Sequence, residues 1–174
     1  MPSDHPNLIP FLETLATQLE GTLHWDPLTQ TLYATDASVY REVPLAVAFP
    51  KTEKDIQKLI QFASENGTSL IPRTAGTSLA GQCVGNGIVV DVSTHFNQIL
   101  EINADERWVR VQPGVVRDEL NRFFEAIWPL FLTDHFYRQS CDDRRYGRQQ
   151  FFGYNLDCIW GYSGQSNFPQ YHPE

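Results

Sequence analysis

The sequence predicts an α+β fold in which a small parallel β-α-β unit is followed by a mixed or antiparallel sheet. Two observations carry this prediction. Between residues 44 and 92, two apolar runs flank an amphipathic helical pattern, and a third apolar run follows a loop. Between residues 99 and 111, two runs of alternating apolar and polar residues flank a five-residue loop, a pattern typical of a β-hairpin. A length of 174 residues suffices for one domain with a buried core.

The charge and composition of the chain exclude several classes of protein. The net charge is −8, from 13 basic and 21 acidic residues, which argues against electrostatic capture of nucleic acid. No apolar run approaches the ~20 residues of a transmembrane helix. Three cysteines without regular spacing, and a start that lacks the pattern of a signal peptide, favour a reducing compartment. We therefore expect a cytoplasmic protein, and a peripheral position at the inner face of the membrane stays open for a full-length protein.

Two helices are predicted from apolar spacing and capping residues. Apolar residues recur every three or four positions from Leu8 to Leu19, with Phe11 among them, and predict a helix between Pro6 and Glu20 whose stripe lies in the core. Thr52 and Asp55 have the spacing of a capping box and predict the start of a second helix. Asn66-Gly67 predicts its C-terminal end. The residues between these helices include a short, turn-rich stretch.

Apolar strands on both sides of the second helix predict a parallel arrangement. The run from Pro44 to Pro50 is almost continuously apolar, and the runs 69–71 and 87–92 follow the helix. Such runs are typical of buried strands. A strand, a crossover helix and a second strand of this length give a parallel pair with a right-handed connection. The hairpin of residues 99–111 and a last amphipathic helix that runs into Ala126 complete the pattern.

The loop after the second strand contains the residue types that an anion requires. A diphosphate needs several backbone N–H groups that converge on it. Ala75 and Gly76 let the main chain approach such a ligand, and Thr77 and Ser78 add hydroxyl groups. The loop matches neither the G-x-G-x-x-G fingerprint nor the G-x-x-x-x-G-K-[ST] loop. On spacing alone, a flexible surface turn is an equal alternative.

The segment from Ile71 to Gln82 resembles the FAD diphosphate-binding loop of the FAD-linked oxidases of vanillyl-alcohol oxidase type, whose FAD-binding domain is called PCMH-type. The segment 36–41, the strand between Pro44 and Pro50 with the helix that follows it, and the segment 111–115 occur in the order of that family. The likeness is greatest to the D-lactate and glycolate dehydrogenase branch. One departure is Ala75, where many members have glycine.

This resemblance implies a PCMH-type fold, FAD as the cofactor, and a flavin-dependent dehydrogenase or oxidase of a small 2-hydroxy acid. The expected cofactor-binding residues are Pro72, Arg73, Thr74, Ala75, Gly76, Thr77, Ser78, Gly81 and Gln82. The substrate is expected to bind to a separate domain that this sequence lacks, so no catalytic residue and no metal ligand is assigned. We expect little or no turnover from this chain alone.

Composition changes sharply after Ala126. Residues 127–174 contain 12 of the 22 aromatic residues and no alanine, valine or lysine, and their apolar residues follow neither a helical nor an alternating period. The family pattern also stops there, and a re-reading of the codons with one base gained near Ala126 permits a continuation of family type. We interpret 1–35 as an N-terminal helix and lead-in, 36–126 as the first part of the FAD-binding domain, and 127–174 as an out-of-frame tail that is disordered or poorly packed.

Two other functions stay open. The chain is alternatively a non-catalytic remnant, or an FAD-binding module that acts with a separately encoded substrate subunit. Isolated residues have structural interpretations: Trp108 in an alternating strand is expected to pack, His24 and His95 to lie at the surface or in turns, and Cys83 to be a buried thiol. Yellow purified protein would favour an FAD-binding function over the remnant.

Overall fold

Within residues 8–103, 108–125 and 158–161, which a computed structural model describes, the chain forms four helices and two sheets. The helices are α1 (Ile9–Gln18), α2 (Pro27–Leu32), α3 (Glu53–Asn66) and α4 (Arg117–Glu125). The strands are β1 (Thr22–His24), β2 (Ala46–Phe49), β3 (Leu70–Arg73), β4 (Ile88–Asp91), β5 (Ile99–Asn103), β6 (Trp108–Val111) and β7 (Cys158–Gly161).

The first sheet has the strand order β1-β2-β4-β3. β2 and β3 each pair parallel with β4, and β1 pairs antiparallel with β2. The parallel β-α-β unit is therefore confirmed, but the expectation that β2 and β3 form a pair was wrong, because β4 lies between them. All four residues of β4 are buried, which suits the centre of the sheet. Pro72 in β3 has no N–H for a ladder bond, which suits an edge strand.

The first sheet is covered on both faces, which explains why its central strands are almost continuously apolar. On one face, α1 and α3 pack against alternate strand residues. This core contains Leu12, Leu15, Leu59, Phe62, Ala46, Ala48, Ile88 and Val90. On the other face, Val47, Ile71 and Val89 are buried beneath the rings of Tyr33 and Phe49. The site described below begins at the end of this second face.

α1 is shorter than predicted, and its apolar stripe is only partly in the core. Leu8, Leu12 and Leu15 are buried, whereas Phe11 is 56% exposed, so the expectation of a core position for Phe11 was wrong. Leu8, Leu12 and Leu15 lie close to one line along the helix, and Phe11 lies about 60° to the side of Leu8. The flank of the stripe therefore faces away from the sheet.

α2 lies in the stretch from His24 to Tyr33 that the sequence predicted to be rich in turns, and β1 ends where this stretch begins. α2 has only six residues and none of them is buried, so it lacks the apolar stripe by which a helix is recognised. Its start is nevertheless well defined, because the Asp26 carboxylate accepts a hydrogen bond from the Thr29 N–H at 3.0 Å and Pro27 occupies the first turn.

Thr52 caps α3 as predicted, and the Thr52 backbone N–H is one of the groups that lower the pKa of Asp55, as in a capping box. The buried Asp55 carboxylate also accepts hydrogen bonds from the amides of Glu20, Gly21 and Lys51 at 2.9–3.0 Å. Burial alone would raise the pKa of Asp55, and the hydrogen bonds from these amides hold that pKa below its ordinary value. Asp55 therefore joins the end of the α1 segment to the start of α3.

The second sheet has the order β5-β6-β7, with both pairs antiparallel. The predicted β5–β6 hairpin is confirmed, and residues 104–107 lie outside the described ranges. Of the predicted tail 127–174, the structure describes only β7, which pairs with β6 although the sequence predicted no regular structure there. Backbone pairing at an open edge needs little from the side chains. The expectation for the rest of the tail lies outside the described residues.

The helices are short, and α3 is the longest with 14 residues. In α4, Leu120 is buried, but Val116 just before the helix and Phe123 within it are 42% and 48% exposed. Among the described residues, none of the helices is both long enough and apolar enough to span a bilayer.

Replacement of Asp55 by asparagine is expected to lower the free energy of unfolding at pH 7 by about 2–3 kcal/mol, because three part-buried backbone amides lose a charged acceptor. The folded-state pKa is lowered, so the stabilisation is complete above the unfolded value of about 4 and is lost as the pH falls through the folded pKa. Urea unfolding between pH 3 and pH 7 measures this difference. Glu53→Gln, in the exposed first turn of α3, is the control, and equal pH profiles for Asp55→Asn and the wild type would contradict the assignment.

Candidate functional site

The loop predicted to bind a ligand begins where β3 ends. Arg73 is the last residue of β3, and the chain enters β4 at Ile88. The loop therefore leaves the sheet at the carboxyl edge of its parallel strands. Ligand sites of sheets with crossover helices are usually found at this edge. The position of the loop agrees with the sequence prediction.

Two glycines with left-handed backbone shape the loop. Gly76 has φ +65° and Gly81 has φ +71°, a region that side chains with a Cβ rarely adopt. A Cβ on Gly76 would lie 2.6 Å from the Arg73 Nη2, and a Cβ on Gly81 would lie 2.7 Å from a ring carbon of Tyr40. Both positions therefore favour glycine, because the left-handed backbone strains any other residue and an added Cβ would make Arg73 or Tyr40 shift.

Residues 35–38, which we call the supporting segment, hold the loop from one side. The Gly76 carbonyl accepts a hydrogen bond from the Ala37 N–H at 3.0 Å. The Asp36 carboxylate accepts from the N–H groups of Ser38 at 2.8 Å and Cys83 at 3.4 Å. Burial alone would raise the pKa of Asp36, but these hydrogen bonds and the nearby Arg73 guanidinium lower it below its ordinary value.

The Ser78 hydroxyl stabilises the turn within the loop. Its oxygen accepts hydrogen bonds from the amides of Ala80 and Gln82 at 3.2 Å each, and it donates to the Gln82 side-chain oxygen at 3.2 Å. Cys83, at the end of this turn, is buried as a free thiol, as the sequence predicted. The hydroxyl expected to contact a ligand is therefore already engaged in the loop.

Several amides of the loop have no acceptor within the described parts of the chain. They belong to Ala75, Gly76, Ser78, Leu79 and Gly81. Gly76 is itself buried, and an anion would provide the acceptor that its N–H lacks in the described chain. Ala75 and Leu79 are exposed, so the loop is open to solvent. This donor set fits the diphosphate of FAD.

Sequence patterns alone did not reveal the residues that hold the Arg73 side chain. The Nη1 atom donates to the Thr35 carbonyl at 2.8 Å and to the Tyr33 carbonyl at 3.3 Å. The guanidinium carbon lies 4.9 Å from the centroid of the Tyr33 ring, within the range of a cation–π contact. Tyr33 precedes Arg73 by 40 residues, and no spacing rule links them.

Tyr33 is fixed in turn by Asp91 at the end of β4. The Tyr33 hydroxyl donates to Asp91 Oδ2 at 2.7 Å, and Asp91 Oδ1 accepts from the N–H and hydroxyl of Ser93 at 2.8 and 2.6 Å. Burial and the hydrogen bond to Asp91 raise the pKa of Tyr33. One signal was available in the sequence, since Asp91 is the only charged residue of an otherwise apolar strand.

Known proteins resemble this chain in sequence and in fold. The family described as FAD binding domain matches residues 44–130, which is half of the chain. The D-2-hydroxyglutarate dehydrogenase of Haemophilus influenzae is 40% identical over 138 residues, covering 77% of this chain and 13% of that protein. The glycolate oxidase subunit GlcD of Bacillus subtilis is 35% identical over 113 residues, covering 63% of this chain and 24% of that protein. The chain thus spans about an eighth to a quarter of these relatives.

A solved structure with the same fold is that of 4-ethylphenol oxidase from Gulosibacter chungangensis. It superposes with a TM-score of 0.60 at 20% identity and covers 68% of this chain and 24% of that chain. At this identity the likeness concerns the fold, and it confirms the predicted PCMH-type α+β fold. FAD, the cofactor expected from the loop, is the one that the matching family binds. The chain belongs to the FAD binding domain family.

Proposed function

We propose that this chain is the FAD-binding part of a flavin-dependent dehydrogenase or oxidase that acts on a small 2-hydroxy acid. The observation that carries the proposal is the group of loop amides without acceptors in the described chain, at the carboxyl edge of the first sheet. The names of the relatives support the substrate class, since 2-hydroxyglutarate and glycolate are both 2-hydroxy acids. The carboxylate and hydroxyl of such a substrate would be bound by parts of a longer protein.

The residues of the loop divide the work of holding FAD. The main chain of Ala75, Gly76 and Ser78 provides donors for the diphosphate, Thr74 and Thr77 line it, and Gly81 and Gln82 lie beside the cofactor. Pro72 and Arg73 bring the chain from β3 into the loop. Converging backbone N–H groups attract an anion through their dipoles. Such local donors can therefore bind a diphosphate even in a protein whose net charge is −8. No basic side chain is needed to explain the site.

The division of labour between cofactor and protein follows from these contacts. FAD supplies the redox chemistry when bound, and the protein binds and orients it. Within the described residues, no group of three or more His, Cys, Asp or Glu side chains could hold a metal ion.

Location is proposed to be cytoplasmic, supported by the free thiol of Cys83.

The proposed domain organisation is the one that the sequence predicts: a lead-in at 1–35, the FAD-binding portion at 36–126 and an out-of-frame tail at 127–174. The family match supports the last boundary, because it ends at residue 130, close to the change of composition after Ala126.

Gly76→Ala is expected to weaken FAD binding by the 174-residue chain about tenfold or more. The methyl group meets Arg73 Nη2, and left-handed backbone costs about 1–2 kcal/mol with a Cβ. Quenching of FAD fluorescence in a titration measures the affinity. Gly67→Ala is a matched control, since Gly67 has φ +62° with nothing within 4 Å of an added Cβ and ends α3 outside the loop. Equal affinities for Gly76→Ala and the wild type would contradict the proposed site.

Adenosine diphosphate is expected to displace FAD from the chain, because it carries the diphosphate that the loop amides bind. Riboflavin lacks the diphosphate and is expected to displace little FAD at the same concentration. Competition titrations at constant ionic strength make this comparison. If riboflavin competes better than adenosine diphosphate, the flavin ring rather than the loop dominates binding. Absence of FAD binding by the wild type at millimolar cofactor would favour the non-catalytic remnant.

Restoration of the reading frame near Ala126 is expected to increase the FAD affinity at least tenfold. A second cofactor-contacting segment would add several hydrogen bonds of about 0.5–1.5 kcal/mol each. The same fluorescence titration compares the repaired and the present chain. A gene sequence from independent isolates without an extra base across the codons for residues 126–128 would refute the out-of-frame interpretation.

A further inference from the structure

We infer that the side chain of Arg73 is a positioning residue, which fixes the Gly76 turn from beneath and does not itself bind the diphosphate, and that the Tyr33–Asp91 pair fixes Arg73. This inference rests on the proposed FAD site. It assigns Arg73 a role in positioning the loop instead of a contact with the diphosphate. A basic residue beside an anion-binding loop is ordinarily expected to contact the anion. The contacts around Arg73 argue for the other role.

The partly buried guanidinium of Arg73 has protein contacts at both terminal nitrogens and on one face. Nη1 donates to two main-chain carbonyls, those of Tyr33 and Thr35. One face of the group lies over the Tyr33 ring. Nη2 packs so closely against Gly76 that a Cβ there would lie 2.6 Å away. The side chain therefore packs directly against the Gly76 backbone.

The Tyr33 ring, over which the Arg73 guanidinium lies, is itself fixed by two contacts. The Tyr33 hydroxyl donates to Asp91, and the ring makes a T-shaped contact with Phe49, with centroids 5.8 Å apart and planes at 83°. Asp91 is 5% exposed and stands opposite Arg73 in the register of β3 and β4. A displacement of Tyr33 would therefore remove both the ring and the adjacent carbonyl from Arg73.

Carboxylates of the protein also lie near Arg73 and offset part of its positive charge. The guanidinium is close enough to Asp36 to lower the pKa of that carboxyl group, and Asp91 lies on the neighbouring strand. An anion above the turn gains less from a cation that already has such neighbours. The amides of the turn are then the donors that remain for the diphosphate.

The amide of Ala37 provides a probe of the turn that does not depend on any ligand. Its N–H donates to the Gly76 carbonyl, so its hydrogen exchange reports whether the turn rests on the supporting segment. Arg73→Met is expected to speed this exchange about tenfold or more, and Tyr33→Phe about fivefold. Exchange at Val90, in the central strand, is expected to stay within about twofold, which separates a local effect from loss of the fold.

Binding of FAD to the same variants provides the second measurement. Tyr33→Phe and Arg73→Met are expected to raise the dissociation constant by factors similar to those seen in exchange. The double variant is expected to match Arg73→Met alone, because the two residues act in series. The ionic-strength dependence of the dissociation constant is expected to stay unchanged in Arg73→Met, whereas loss of a direct contact between charges would reduce it. Lys54→Met, which removes an exposed cation of α3 outside the loop, is the matched control.

Different outcomes separate the failure of this inference from that of the proposed function. If the wild type binds FAD, and Arg73→Met weakens binding without faster exchange at Ala37, Arg73 is a direct ligand and the inference is overturned. Additive effects in the double variant overturn it too. If the wild type binds no FAD, the proposed function fails, and exchange at Ala37 still tests the support of the turn. Should Tyr33→Phe fail to fold, Ser93→Ala removes one donor to Asp91 and is expected to speed the exchange about twofold.

Discussion

The left-handed backbone at Gly76 is the constraint on which the loop depends. It turns the Gly76 carbonyl towards Ala37, while the N–H groups of Gly76 and Ala75 have no acceptor in the described chain. The same residue must lack a Cβ because the Arg73 guanidinium occupies the adjacent space. One glycine therefore joins two requirements, a main chain that presents donors and a cation packed beneath it. These contacts constrain the turn, and its role in binding a ligand stays a prediction.

The two faces of the first sheet serve different purposes. The face under α1 and α3 carries the larger apolar core, which stabilises the sheet. The opposite face begins with three buried aliphatic residues and passes, at the carboxyl ends of β3 and β4, into the network of Tyr33, Arg73 and Asp91. Alternation along each strand determines this division, since successive side chains point to opposite faces. A rigid apolar layer thus supports a polar network close to the loop.

Much of the fold could be predicted from local patterns, and the failures have physical causes. The capped helix α3, the apolar strands and the β5–β6 hairpin have strong periodic or capping signals, and they are present. The position of β4 between β2 and β3 was not predictable in this way, because strand order depends on competition for burial between distant segments. α2 was not predicted, because a short exposed helix has no apolar periodicity in its sequence. The loop was found from its small residues, but the residues that support it lie about 40 positions earlier.

The carboxylate of Asp55 has a consequence for where the folding unit begins. It accepts the amides of Glu20 and Gly21, which lie before the family match at residues 44–130, and β1 extends the sheet alongside β2. A cut at residue 36 would leave a buried anion short of two donors and expose a strand edge to other chains. The stretch that precedes the recognisable family sequence is thus structurally inseparable from it, and expression fragments that follow family boundaries would begin too late.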